Sequence, residues 1–250
     1  MIQVNEAEMT ESEIHDFIAG RGAFLRFLKE WEFAWDTVKL SSLVEEAGGA
    51  HQVAIVCADV TNEFIRTGRL ASPRVAGIVP PIVELMRVAY AEGVRNFVLP
   101  QDVHPLNAHQ FAAYGPHALP GTYETETVDE LKELPFSKLF TVIPKNSLNP
   151  GIDTMFPSWL DEHPELRLFI VIGDVTDLCV YQIAMYLRLR ANQYGLDYEV
   201  VVPANCVETF ETEFDTAREL KVLPHDADLM HLLFLYHMAL NGIKVVREVH

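Results

Sequence analysis

At 250 residues with 49% hydrophobic content, the chain is long enough for one large domain with a substantial core and short for two. A formal charge of -17 excludes the basic surface that nucleic acid and anionic membranes select. Three cysteines, Cys57, Cys179 and Cys206, are odd in number and far apart, so neither a disulfide framework nor a cysteine-type zinc site is expected, and a reducing cytoplasm fits best. The opening Met1-Ile2-Gln3-Val4-Asn5-Glu6 lacks a basic region followed by an apolar core, and no apolar run is long enough to span a bilayer.

In chain order, residues 1–50 form an N-terminal helical extension. Glu11 to Trp35 reads as an amphipathic helix carrying Ile14, Phe17, Ile18, Phe24, Leu25, Phe27, Leu28 and Trp31 at three and four spacings, and Ser41 to Glu46 as a short second helix. Such an aromatic face is expected to pack on the main domain or on a neighbouring subunit. Gly48-Gly49 ends this part, and residues 51–250 form the main domain. Val53 to Ala58 is a continuous apolar run, the pattern of a parallel strand covered on both faces, and it stops at Asp59. Val75 to Glu92 follows as a helix interrupted near Pro80-Pro81. Asn96 to Leu99 is the second strand and leads to Asp102 and His104, ahead of a loop that continues to Thr122. Leu139 to Ile143 is the third strand, ending at Lys145, and Trp159 to His163 is a short helix. Leu168 to Ile172 is the fourth strand, and the turn Gly173-Asp174-Val175-Thr176-Asp177-Leu178 delivers Cys179 into the first turn of a helix. A fifth strand at Tyr198 to Val202, a helix at Asp226 to Leu240 and a strand at Ile243 to Val246 complete the pattern.

This alternation predicts a doubly wound parallel sheet with helices on both faces, and the common order 3-2-1-4-5 for its first five strands. Ligands bind such sheets at the carboxyl ends of the strands, near the point where the order reverses. Four successive strands deliver Asp59, Asp102 with His104, Lys145 and Cys179 to that edge. On its own stretch Cys179 is either a nucleophile, its thiolate favoured by a helix N-terminus, or a buried free cysteine. With Asp59 as proton acceptor and Lys145 beside both, the set has a use: attack of sulfur on an acyl carbon, with backbone N–H groups of the Asp174–Cys179 turn as an oxyanion hole. Asp102, His104, His109 and His117 offer a carboxylate and two or three imidazoles, a set that suits zinc, iron or manganese, unless Asp102 and His104 only shape the loop. Cys57 and Cys206 read as structural, and His225, His231 and His237 as packing or surface residues.

The segments Asp59-Val60-Thr61-Asn62-Glu63-Phe64, Lys145 after its strand, and Gly173 to Val180 resemble the three signatures of the isochorismatase-like cysteine hydrolases, over roughly residues 51 to 250. The resemblance implies Cys179 as nucleophile, Asp59 as proton carrier and Lys145 as their support. It also implies a cis peptide between Asp174 and Val175 that aims the Val175 and Cys179 N–H groups at the oxyanion. The Asp102-Val103-His104 loop resembles the nicotinamidase branch, which implies a divalent metal, zinc foremost, on Asp102, His104 and His117 with His109 as a ligand or neighbour. It further implies Phe64 and Tyr114 around a flat substrate, an amidohydrolase releasing ammonia from nicotinamide or a related pyridine carboxamide, and self-association. Departures from the pattern are Thr61 in place of a frequent glutamine, Val103 in place of tryptophan, and Tyr114-Gly115-Pro116 ahead of His117. The alternatives are a metal-free relative that hydrolyses a carbamoyl or ureido amide or isochorismate, and a catalytically silent interaction module.

Overall fold

The computed structural model describes residues 10–250, which divide into two compact units, one ending at Trp35 and one spanning Asp36 to His250. In the first unit the expected single helix is two, α1 (Glu11–Ala19) and α2 (Gly22–Phe33). Gly20 and Gly22 account for the break, since glycine is the poorest helix former after proline. Thr10 begins α1 with a reciprocal cap: its hydroxyl accepts from the Glu13 N–H at 3.3 Å and its own N–H donates to the Glu13 carboxylate at 2.8 Å. Trp31 and Trp35 meet edge to face at 5.1 Å.

The second unit begins earlier than residue 51. Strand β1 (Thr37–Val38) pairs in parallel with the last strand of the chain, β9 (Glu248–Val249), and α3 (Leu40–Glu46) buries Leu40 and Leu43 in the core of this unit. Strands of two residues carry no periodic signal, so this seam is invisible to pattern reading. The main sheet is built from β2 (Val53–Ala58), β3 (Asn96–Asp102), β4 (Phe140–Lys145), β5 (Leu168–Asp174), β6 (Glu199–Pro203), β7 (Val207–Glu208) and β8 (Lys244–Val246). All its pairings are parallel, in the order β4-β3-β2-β5-β6-β8, with β7 added to the end of β5. The first five main strands therefore follow the expected order 3-2-1-4-5. Every residue of β2 and β5 is buried, as continuous β-branched runs between two helical layers require. Each such Val or Ile side chain stabilises the fold by about 1.5–3 kcal/mol relative to exposure.

Ten helices of this unit flank the sheet or line its edge. They are α3, α4 (Asn62–Ile65), α5 (Pro73–Ala76), α6 (Val79–Ala91), α7 (Phe111–Tyr114), α8 (Asp129–Lys132), α9 (Phe156–Glu162), α10 (Tyr181–Tyr194), α11 (Phe214–Leu220) and, last, α12 (Ala227–Leu240), α3 being the one already introduced. The order reverses between β2 and β5, whose register runs from Val53 opposite Leu168 to Ala58 opposite Gly173. At that last pair the strands approach so closely that a Cβ on Gly173 would lie 2.0 Å from the Ala58 carbonyl oxygen, and Gly173 has φ +109°. Only glycine fits both requirements. Among the described residues no helix is long and apolar enough to cross a membrane.

Candidate active site

Beyond Ala58 the chain turns through Asp59 in a left-handed conformation, φ 53°, which a short carboxylate side chain tolerates better than most. The turn is held by the Asp59 N–H on Pro100 O at 3.0 Å, and the Asp59 Oδ1 accepts the backbone N–H of Asp102 at 2.8 Å. Beyond β5, a cis peptide joins Asp174 to Val175, and Thr176–Val180 forms one π-helical turn that runs into α10. Cys179 stands on this turn, buried across the strand-order reversal from Asp59. Lys145 arrives from β4, in register with Asp102 of β3.

The lysine ties the group together. Its Nζ lies 2.8 Å from Asp59 Oδ2, 2.5 Å from Asp102 Oδ1 and 3.3 Å from Cys179 Sγ. All four residues are at most 4% exposed, so the ammonium has no hydration to fall back on and its two carboxylate partners are structurally obligatory. Burial acts against the Lys145 charge, but Asp102 and Asp59 outweigh it and keep the amine protonated far above its usual range. Burial pushes Asp59 up to about 6 in spite of the lysine. Burial would also raise Asp102, yet Lys145 and His104 hold it below the usual carboxylate range. For Cys179, burial and then the Asp59 charge push the thiol well up, with Lys145 pulling the other way. Burial thus opposes the help that a helix N-terminus gives a thiolate. What the site presents is a buried sulfur that accepts from the Lys145 ammonium at 3.3 Å within 4.8 Å of the Asp59 carboxylate, so the thiol has a proton acceptor and a cation beside it.

Beside this group lies a second one. Asp102, His104 and His117 each offer a ligand atom within 4.8 Å of the others, all three buried. The His104 N–H on Ala118 O, 3.0 Å, fastens the end of β3 to the loop that carries His117. His117 Nδ1 meets Gly115 O at 2.8 Å, an acceptor only, and His104 Nδ1 meets Asn146 Oδ1 at 2.9 Å. With its Nδ1 donating to a carbonyl, His117 presents a bare Nε2, while His104 Nε2 faces Asp102 Oδ2 at 3.3 Å, an approach that needs a proton or a cation between the two. Three buried acceptors turned to one place fit a divalent cation. His109, in contrast, is exposed and stands outside the group, because it precedes α7 by two residues and points away from the turn that carries Gln110 inward. Asp59, Asp102 and Cys179 are also within 4.8 Å of one another, but there the lysine ammonium already serves as the cation.

Phe64 and Tyr114 both meet the His117 ring edge-on with centroids 6.4 Å away, at 69° and 86°. They reach that ring from different chain segments. The C-terminal histidines are more than packing. His225 Nε2 pairs with Asp177 Oδ2 at 2.8 Å, its Nδ1 donates to Phe210 O at 2.8 Å, and its ring stacks on Phe210. His231 Nδ1 bonds the Thr176 hydroxyl at 2.9 Å. Two residues of the nucleophile's turn are thus held from the far end of the chain, which no local spacing could have announced. Asp174 was likewise unmarked: it is buried, neither carboxyl oxygen has a hydrogen-bond partner among the described residues, and burial followed by the Asp59 charge pushes its pKa well up, which favours the neutral form. Cys57 and Cys206 are buried with raised thiol pKa values, Cys206 at about 12, as structural cysteines would be.

Comparison with known proteins places this geometry. The chain is 29% identical over 147 residues to nicotinamidase 1 of Arabidopsis thaliana, a match covering 54% of this chain and 59% of that one. It therefore spans only about 59% of the length of this curated relative. Among solved structures, the zinc complex of the pyrazinamidase of Pyrococcus horikoshii superposes with a TM-score of 0.61 at 21% identity, covering 78% of this chain and 99% of that one. The N-carbamoylsarcosine amidase of Thermoplasma acidophilum gives 0.59 at 22%, with 78% and 96% covered. At such identities the likeness is one of fold. The isochorismatase domain model matches residues 53–225, from the first residue of β2 to the histidine that clamps the nucleophile's turn, and the chain belongs to that family.

Proposed function

We propose that this protein is a cysteine amidohydrolase that releases ammonia from nicotinamide or a related pyridine carboxamide through a thioester. The observation that carries the reading is the position of Lys145 Nζ between Asp59, Asp102 and Cys179. Such an ammonium stabilises the negative charge that moves from carboxylate to sulfur during attack. As the Cys179 sulfur bonds to the amide carbon, its proton passes to Asp59 and the carbonyl electrons move onto oxygen, which rests on the Val175 and Cys179 N–H groups. Collapse re-forms the carbonyl, breaks the C–N bond and carries the Asp59 proton to the departing ammonia. Water then attacks the thioester carbon and yields a proton to Asp59; the C–S bond breaks, and the proton returns to sulfur. Phe64 and Tyr114 would bound the flat ring.

Asp102, His104 and His117 are the residues that would hold a divalent metal, zinc foremost and iron or manganese as alternatives. A cation there would supply a Lewis acid toward the ring nitrogen or a water. The likeness to nicotinamidase 1 supports the pyridine substrate, and the fit of the two imidazoles supports the metal.

The test is ammonia release from nicotinamide by protein purified without a histidine tag. Release should fall on chelation, return on adding metal, and vanish in Cys179→Ala with an unchanged melting transition. Turnover of a carbamoyl or ureido amide with nicotinamide left intact would replace the substrate while keeping the cysteine chemistry. Full activity in Cys179→Ala would overturn the mechanism.

A further inference from the structure

The place toward which Asp102, His104 and His117 turn already holds a fourth polar side chain. Gln110 Nε2 lies 2.6 Å from His104 Nε2, 3.2 Å from His104 Nδ1 and 3.3 Å from His117 Nε2. His117 commits Nδ1–H to Gly115 O, so its Nε2 is an acceptor, and what meets the two imidazoles is the end of a primary carboxamide. The positive end of the amide dipole stands where a cation would stand. The residue is also well anchored: Gln110 begins α7, and its carbonyl accepts from the Ala113 and Tyr114 N–H groups at 2.9 and 3.0 Å. The side chain is therefore rooted one helical turn from Tyr114 and reaches inward, whereas its neighbour His109 is exposed.

A carboxamide has two unlike ends that exchange by a half turn about its last torsion, a soft rotation about an sp³–sp² bond. We propose that Gln110 is the fourth protein ligand of the cation site. Its amide already reaches both imidazoles, and a half turn brings its oxygen to the cation. This rests on the metal reading above and changes its ligand set. The protein would contribute one carboxylate, two imidazoles and one neutral amide oxygen, a mixture suited to zinc, manganese or iron(II), leaving a single formal positive charge on the loaded centre. The place expected for His109 is taken by the next residue.

Cobalt(II) is the probe, because its visible bands change with ligand number and type and need no turnover. Metal-stripped protein without a tag is titrated with cobalt(II) in competition with a chromophoric chelator, for the unmodified chain, Gln110→Ala, Gln110→Met and Gln110→Glu. The expected result is binding by the unmodified chain, at least tenfold weaker binding with altered bands in the alanine and methionine variants, and equal or tighter binding in the glutamate variant, which keeps an oxygen in place. Melting of the stripped proteins is the control for folding, and the methionine and glutamate variants preserve side-chain length should the alanine variant unfold. Alanine and methionine variants that bind as tightly as the unmodified chain with unchanged bands would show that Gln110 is not a ligand. Tighter binding in both would show a plug that metal displaces, and would overturn the proposal equally. If the unmodified chain takes up no cobalt, the metal reading itself fails, and this one with it.

Discussion

Replacing Lys145 by methionine removes a charge and little else, since the side chain keeps its length and its apolar stem. In the unmodified protein the ammonium sits 2.8 Å from Asp59 and 2.5 Å from Asp102, all three groups excluded from water. Without it, two buried carboxylates are left facing one another with the Cys179 thiol between them. Removing one partner from a buried ion pair costs about 3–5 kcal/mol, because the remaining charge is uncompensated. For a chain of this size that corresponds to a fall in Tm of roughly 6–20 °C. The deficit must depend on pH in a defined direction. The lysine pulls down both Asp59 and Asp102 in the native state, so its removal lets their pKa values rise further. Native carboxyls with raised pKa values are penalised when ionised, and the penalty is relieved as pH falls through those values. Urea denaturation of Lys145→Met at pH 8 and at pH 5 should show the larger stability loss at pH 8, and a thiol titration should show Cys179 harder to ionise. Equal losses at the two pH values would refute the claim that the lysine acts as a charge rather than as packing.

Two further perturbations follow from the same geometry. Gly173→Ala should lower stability by at least about 3 kcal/mol, through its left-handed backbone and overpacking against Ala58 backbone atoms at 2.0 and 2.7 Å; a change under about 1 kcal/mol in urea would contradict the close approach of β2 and β5. His225→Gln should cost about 2 kcal/mol, the worth of a hydrogen bond to a charged group, and the loss should vary with pH. Burial works against the His225 charge but the Asp177 hydrogen bond raises it overall, while His225 holds Asp177 below its usual range in spite of burial. The pair is then fully formed between roughly pH 4 and 6.5, weakening as pH falls through the depressed aspartate value or rises through the raised histidine value. The Tm difference from the unmodified protein should be larger at pH 6 than at pH 9, and a difference independent of pH would mean that His225 serves only as a stacked ring on Phe210.

The sheet and its order were legible because buried parallel strands write themselves as uninterrupted apolar runs: Val53–Ala58 and Leu168–Ile172 could hardly be anything else. The same logic located the edge, since Asp59, Asp102 and Lys145 stand within three residues of the end of a strand run and Cys179 follows the turn after one. It failed wherever a contact joins distant segments without periodicity. Nothing near Asp177 points to His225, and nothing near Thr176 to His231. His109 and Gln110 stand just before a four-residue helix too short for pattern reading, so no periodicity says which side chain turns inward. Helix α1 and α2 were read as one because apolar spacing persists across Gly20 while the backbone does not. For Cys179 the sequence displays the helix that could lower its pKa but not the burial that raises it.

Asp102 is used on both sides: one oxygen holds Lys145 and the other faces His104 in the cation group. A ligand of either oxygen draws on the same negative charge. Linkage then requires reciprocity: whatever factor a bound cation takes from the hold of Asp102 on Lys145, the lysine takes from the affinity for the cation. On the proposed reading, cation affinity would be a remote gauge of the surroundings of Cys179. A change made at Lys145 and a change made at His104 should therefore fail to add, and the size of the shortfall measures how strongly one carboxylate joins two chemistries.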